Sequence, residues 1–105
     1  MATPDPILQR FRDALAEVYG DRIERIVLFG SRARGDAQPD SDYDIAIFLK
    51  DLSNRWQEIR RIVDIEQAIR DDTGADIHTM PYPAGSWRNT ASPLMYEIGK
   101  DGRDL

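Results

Sequence analysis

Apolar residues near the N-terminus recur at the spacing of one helical face. They are Ile7, Leu8, Phe11, Leu15 and Val18. Asp5 and Pro6 come just before them, a pair typical of a helix start, because the carboxylate caps the first turn and proline needs no donor there. We therefore expect a helix over residues 6–19, ending at Gly20.

Two short apolar runs follow, and they predict two strands. The first is residues 23–29, and the second is residues 43–49, "YDIAIFL". Both faces of the second run are apolar, which is typical of a strand covered on both sides. Residues 30–41 between the runs are rich in Gly, Ser, Pro and Asp, so we expect a loop there.

A longer helical pattern comes next in the chain. Ser53 is its predicted N-cap, the helix reaches about residue 72, and Thr73-Gly74 closes it. We expect the tryptophan of this helix, Trp56, to lie in the core.

The rest of the chain predicts a third strand and a last helix. Residues 75–80 form the strand, and residues 81–87, "PYPAGSW", form a loop, because proline cannot donate to a central strand. Ser92-Pro93 opens a short helix that ends at Gly99, and the final residues can add an edge strand. This order of elements predicts an α/β fold with a small sheet.

Length and composition indicate a single domain, residues 1–105. The net charge of −5 argues against an extended nucleic-acid surface but not against a nucleotide. Cysteine is absent, no apolar run is as long as a membrane span, and no secretory signal pattern opens the chain. We therefore expect a cytoplasmic protein without disulfides or thiolate metal sites.

The residues that lead into the second predicted strand contain the candidate chemistry. Asp42 and Asp44 are two residues apart, so in a strand their carboxylates project from the same face. Two such carboxylates can share divalent ions, and oxygen ligands without His or Cys favour Mg²⁺ or Mn²⁺. Asp76 can supply a third carboxylate if its strand lies beside that of the pair, and His78 falls on the same face as Asp76. Asx-turn capping after Pro39 is the structural alternative for the pair.

Gly30-Ser31 and two arginines lie just before the pair in the sequence. At the end of a strand, Gly30 and Ser31 offer accessible amides and a hydroxyl that suit the phosphates of a nucleotide. Arg32 and Arg34 add positive charge for the same phosphates, or are simply solvated or paired with a neighbouring aspartate. A P-loop does not fit, because Asp36 stands where that motif has its lysine.

The segment "GSRARGDAQPDSDYD" matches the G-S-x10-D-x-D signature in full. The chain therefore resembles the DNA polymerase β-type nucleotidyltransferases, and most of all their small stand-alone members, the minimal nucleotidyltransferases. The resemblance implies a mixed sheet flanked by helices, Mg²⁺, and transfer of a nucleoside monophosphate from a triphosphate with release of pyrophosphate. Gly30 and Ser31 match the phosphate-holding pair of the family. Asp42 and Asp44 match its two metal ligands, and Asp76 matches a third carboxylate that helps to deprotonate the attacking hydroxyl.

The resemblance implies an enzyme that moves AMP from ATP, or the monophosphate of another nucleoside triphosphate, to a hydroxyl acceptor. Minimal nucleotidyltransferases resemble the antitoxins of systems whose other half is a HEPN-type toxin, so a tyrosine of such a partner is one candidate acceptor. Larger relatives carry an extra domain that helps to hold nucleotide and acceptor, so we expect a homodimer or a partner protein to complete the site. The alternative is a binding module that neutralises its partner by masking, with catalysis dispensable.

Overall fold

The computed structural model describes residues 5–105, so residues 1–4 of the predicted domain lie outside the described residues. Its helices and strands follow in the order α1 (Pro6–Tyr19), β1 (Ile23–Phe29), α2 (Ser31–Arg34), β2 (Tyr43–Leu49), α3 (Arg55–Thr73), β3 (Ile77–Pro83), α4 (Pro93–Asp101) and β4 (Arg103–Asp104). Short 3-10 turns cover Gly20–Arg22 and Ser86–Arg88. Along residues 5–105, no helix combines the length and the apolar character that crossing a membrane requires.

The strands form one four-stranded sheet in the order β3-β2-β1-β4. β1 pairs antiparallel with β2 and with β4, whereas β2 and β3 run parallel. The predicted α/β fold, a small mixed sheet flanked by helices, is therefore confirmed, and so is the edge strand at the end of the chain.

Helices cover both faces of the sheet. On the side of α1 and α3, the core includes the buried residues Phe11, Leu15, Ile45, Ile47 and Ile62. On the side of α4, it consists of the buried residues Val27, Ala46, Phe48, Met95 and Ile98. β2 contributes to both cores, which explains why both of its faces are apolar in the sequence.

The first half of the chain follows its prediction closely. α1, β1 and β2 have the predicted bounds. One carboxylate oxygen of Asp5 accepts the Ile7 amide at 2.8 Å, so Asp5 caps α1 as expected. The predicted loop over residues 30–41 is wrong in one part, because Ser31–Arg34 form a single helical turn that Gly30 and Gly35 bracket.

α3 differs from its prediction at its start and in the side that it buries. Asn54, not Ser53, is the N-cap, and its side chain accepts the Gln57 amide at 3.1 Å. Trp56, which we expected in the core, is 72% exposed. The reason is helical phase: Glu58 is the first buried residue of the helix, and two positions correspond to about 200° of rotation.

β3 extends past its predicted end and takes in two prolines. The strand covers Ile77–Pro83 rather than residues 75–80, so the loop predicted over residues 81–87 begins later. β3 is an edge strand, where a missing amide is tolerated. α4 also continues beyond Gly99, to Asp101.

Side chains of α3 cover the open edge of β3. Glu66 accepts the Thr79 amide at 2.9 Å, and Arg55 donates to the Pro81 carbonyl at 3.1 Å. Together with the missing amides of the prolines, these contacts make the edge a poor template for another strand. Side chains of α3 thus cover the outer edge of β3, the strand that follows Asp76.

Candidate active site

Gly30 and Asp44 meet where β1 ends and β2 begins. The antiparallel register pairs Phe29 with Asp44, which brings Asp44 against the next residue, Gly30. Gly30 has φ +75°, and a Cβ built there would lie 2.5 Å from Oδ2 of Asp44. Both the backbone angle and the lack of space therefore require glycine at this position.

Asp44 lies on β2 and Asp42 comes directly before the strand, close enough for its charge to act on Asp44. Burial raises the pKa of Asp44 above its ordinary value and the Asp42 charge raises it further, while His78 and Arg34 lower it. The Asp42 side chain is 50% exposed, and its Oδ2 lies 3.4 Å from Nε2 of His78. The pair thus concentrates negative charge that a histidine and an arginine offset only in part.

The backbone of Asp76 lies next to β2, but its carboxylate pairs with an arginine of α3. Its carbonyl accepts the Tyr43 amide at 2.9 Å, because β3 runs parallel to β2. Its Oδ1 lies 3.3 Å from Nε of Arg70 on α3. Within residues 5–105, no group of three His, Cys, Asp or Glu side chains is gathered so as to hold a metal ion. The structure brings Asp42 and Asp44 together and pairs Asp76 with an arginine.

α2 is a single helical turn that begins with the Gly30-Ser31 pair. The Gly30 carbonyl accepts the amides of Ala33 and Arg34, both at 3.1 Å. Gly35 ends the turn, and its amide donates to the Ser31 carbonyl at 3.0 Å. Within residues 5–105, the Ser31 amide has no backbone acceptor. The turn therefore holds an amide without a backbone partner one residue away from the contact between Gly30 and Asp44.

The two arginines of α2 point to different surroundings. Nε of Arg34 lies 3.3 Å from the Asp36 carboxylate, and the Arg34 charge lowers the pKa of Asp44. Arg32 instead donates from Nη2 to the Ser41 carbonyl at 2.8 Å. Arg34 is thus close enough to act on the acidic pair, whereas Arg32 contacts the loop that precedes it.

Residues 14–105 match the sequence model of the family described as polymerase beta, nucleotidyltransferase. The chain belongs to the polymerase beta nucleotidyltransferase family. The match takes in the Gly30-Ser31 turn and the acidic pair, so the family predicted from the signature is confirmed.

This nucleotidyltransferase domain is similar in sequence to a named protein and in structure to proteins of known structure. The Methanocaldococcus jannaschii protein MJ0141, named as a protein adenylyltransferase, is 34% identical over 59 residues, which are 56% of this chain and 59% of that protein. A chain in a toxin–antitoxin structure with AMP-PNP has a TM-score of 0.59 and 23% identity, covering 90% of this chain and 68% of that one. A complex of tri-AMPylated Shewanella oneidensis HEPN toxin with MNT antitoxin contains a similar chain, with a TM-score of 0.50 and 22% identity. The similarity covers 93% of this chain and 64% of that one. The two structures support the fold.

Two features of the site lie outside the nucleotidyltransferase signature. His78 reaches Asp42 because the parallel register sets His78 beside Asp44, and strand pairing alone reveals this. On the opposite side of β2, the Tyr43 hydroxyl donates to Oδ2 of Asp5 at 2.7 Å. Burial raises the pKa of Tyr43 to about 12, so its hydroxyl stays protonated and remains the donor. The sequence has no spacing that links Asp5 to Tyr43, since the contact requires α1 to pack beside β2.

Proposed function

We propose that this chain is a Mg²⁺-dependent nucleotidyltransferase that moves AMP from ATP to a hydroxyl group of a protein. One observation carries the proposal: the half-buried Asp42–Asp44 pair lies directly beside the Gly30-Ser31 turn, and Asp44 leaves no room for a side chain at position 30. The name of the M. jannaschii relative and the AMPylated toxin of the S. oneidensis complex favour AMP as the transferred group and a protein as the acceptor.

The donor set of the pair fits a hard divalent cation. Asp42 and Asp44 offer only carboxylate oxygens, which Mg²⁺ and Mn²⁺ prefer. The raised pKa of Asp44 reflects a charge that burial disfavours, and a cation at the pair would compensate it. When bound, the ion supplies positive charge that stabilises the α-phosphate and the leaving pyrophosphate. We propose Asp42 and Asp44 as its ligands, with Asp76 as a third ligand once it leaves Arg70.

We assign the triphosphate to Gly30, Ser31 and Arg34. With no side chain at position 30, the ligand can approach the backbone closely. The Ser31 amide has no backbone acceptor within residues 5–105 and can donate to a phosphate oxygen. The Arg34 side chain is 44% exposed and adds positive charge near Asp44.

Transfer then requires one bond exchange at the α-phosphorus. The acceptor oxygen forms the new P–O bond as the bond to the pyrophosphate oxygen breaks, and the negative charge leaves with pyrophosphate. We propose that the Asp76 carboxylate takes the proton of the acceptor hydroxyl. Its backbone is hydrogen-bonded to Tyr43 at 2.9 Å, so the side chain rather than the strand has to move away from Arg70.

Binding without catalysis is the second candidate function, and one surface favours it. α4 and the turn Ser86–Arg88 border a groove of about 750 Å³ that no carboxylate lines among residues 5–105. Its lining combines Trp87 and Tyr96 with Arg88 and Lys100, and Tyr96 is 56% exposed. An aromatic and cationic groove suits an acidic segment of a partner protein. In this case the chain would neutralise a toxin by covering it.

The test of transfer uses ATP labelled at the α-phosphate, Mg²⁺ and a lysate of the source cells. The parent chain is compared with the double variant Asp42→Asn/Asp44→Asn. Asp40→Asn is the matched control, because Asp40 is an exposed aspartate of the same loop outside the acidic pair. We expect a protease-sensitive labelled band with the parent and with the control but not with the double variant.

The other outcomes separate the alternatives. Equal labelling by the double variant would contradict the catalytic role of the pair. A band removed by nuclease rather than protease would replace the protein acceptor by a nucleic acid. A parent chain that labels nothing and binds no Mg²⁺–ATP would favour masking.

A further inference from the structure

We infer that Arg32 is a positioning residue that orders the segment carrying Asp42, and that it does not contact the nucleotide. The inference rests on the proposed function, because it takes Asp42 and Asp44 as the metal-binding pair. It departs from the sequence-based prediction that Arg32 binds phosphate. The contacts of Arg32 join α2, the loop before β2 and the first residue of β2.

The guanidinium of Arg32 donates to main-chain oxygens of the loop. Nε and Nη2 donate to the Ser41 carbonyl at 3.0 and 2.8 Å, and Nη2 also donates to the Pro39 carbonyl at 3.2 Å. The Ser41 hydroxyl accepts the Gln38 amide at 2.8 Å, which closes the loop on itself. Charge-assisted bonds of this kind are stronger than neutral ones, so they hold the residue just before Asp42 in place.

The same guanidinium stacks on the residue just after Asp42. Its central carbon lies 4.0 Å from the centroid of the Tyr43 ring, within the range of a cation–π contact. The Tyr43 hydroxyl is bound to Asp5, which also caps α1. Hydrogen bonds from Arg32 therefore hold Ser41, and the contacts with Arg32 and Asp5 hold Tyr43. The backbone of Asp42, between them, has little conformational freedom.

The surroundings of Arg32 argue against a contact with phosphate. Successive side chains of a strand point to opposite faces, so Tyr43 faces away from Asp42 and Asp44. A guanidinium on the Tyr43 ring lies on that opposite side.

The experiment compares Arg32→Lys with Arg34→Lys and with Arg60→Lys, an exposed control on α3. Lysine keeps the charge but loses the planar fork that binds two carbonyls. Three quantities are measured: amide hydrogen exchange over residues 38–44, Mn²⁺ affinity by electron paramagnetic resonance, and kcat and KM for ATP.

For Arg32→Lys we expect exchange over residues 38–44 to become about tenfold faster, because charge-assisted bonds to the loop are lost. Mn²⁺ affinity and kcat should each fall about tenfold, since ordering of the segment would then oppose binding, while KM for ATP stays within about twofold. Arg34→Lys should leave the exchange unchanged and raise KM. Arg60→Lys should change nothing.

Unchanged exchange in Arg32→Lys together with a raised KM would overturn the inference and make Arg32 a nucleotide ligand. Should Arg32→Lys fail to fold, Tyr43→Phe is the second variant. It keeps the ring and loses the bond to Asp5, so exchange over residues 38–44 should be about threefold faster, and unchanged exchange would count against the inference. If the parent chain labels nothing and binds no Mg²⁺–ATP, the proposed function fails, but hydrogen exchange and Mn²⁺ binding still decide the role of Arg32.

Discussion

Asp44 and Glu24 are carboxylates on neighbouring strands of one sheet, and the fold treats them in opposite ways. Oε1 of Glu24 accepts the Gly85 amide and Nε1–H of Trp87, both at 2.7 Å. The bond from Gly85 and then the bond from Trp87 lower the pKa of Glu24 below its usual range. Burial raises the pKa of Asp44 instead, and the charge of Asp42 adds to the effect.

The contrast separates a carboxylate that holds two segments of the fold together, Glu24, from one that we propose binds a ligand, Asp44. The register of β1 and β2 is irregular between Ile23 and Arg25, and a bulge there can turn Glu24 toward the turn Ser86–Arg88, which it anchors. Within residues 5–105, the Asp44 side chain anchors no other segment, and the cation that we propose there would compensate its charge. A raised pKa beside a second carboxylate is therefore the physical sign of the candidate site.

Gly30→Ala disturbs the surroundings of Asp44 and has the largest expected effect. The new methyl group would overlap the Asp44 carboxylate, and φ +75° is strained for alanine. We expect transfer to fall at least about a hundredfold and the free energy of unfolding to fall by about 1–3 kcal/mol. Labelled-ATP transfer and urea unfolding measure the two effects.

Gly35→Ala is the matched control for Gly30→Ala. Its φ of +85° is similar, but no atom lies within 4 Å of an added Cβ. This variant should therefore suffer only the backbone strain, about 1 kcal/mol, and retain most of its activity. Equal losses of activity in the two variants would mean that the contact with Asp44 is irrelevant.

Asp44→Asn removes the charge and keeps the shape, so it should lower transfer at least about a hundredfold yet stabilise the fold. The folded pKa of Asp44 lies above its unfolded value, so the ionised group weakens the fold at neutral pH, and the wild type regains stability as the pH falls through the folded pKa. The gain of the variant in free energy of unfolding should thus be largest at neutral pH and shrink in acid. A variant that urea unfolds more readily than the wild type at neutral pH would show that the Asp44 charge is already compensated.

Local chemistry was sufficient to predict the elements on which this pair is built. The cap of Asp5-Pro6 marks the start of α1, and the apolar runs of β1 and β2 end abruptly in polar residues, so their bounds could be predicted from the sequence. The common face of Asp42 and Asp44 stays a prediction from their spacing of two residues, since β2 begins only at Tyr43. Each of these inferences uses only residues close together in the chain.

Features that depend on contacts between distant segments could not be predicted in this way. β3 continues through Pro81 because it lies at the edge of the sheet, and the order of strands is a tertiary property. The Asp76 carboxylate pairs with Arg70, and Arg32 turns to the loop, although both residues carry charges that suit the site. No local pattern distinguishes these partners, since they come from the packing of separate elements.

Glu24→Gln tests the other side of the comparison and should have the smallest effect. Its amide oxygen can still accept a hydrogen bond, but the charge is lost, so we expect a cost of about 0.5–1 kcal/mol at neutral pH and unchanged transfer. Because the folded pKa of Glu24 is lowered, its stabilisation is present above the unfolded pKa and is lost as the pH falls through the folded pKa. At neutral pH, Glu24→Gln should therefore be less stable than the wild type and Asp44→Asn more stable. In acid, the free energy of unfolding of each variant should approach that of the wild type. A loss of transfer in Glu24→Gln would mean that the Trp87 turn and the Asp44 site are coupled, and that the two carboxylates do not have separate roles.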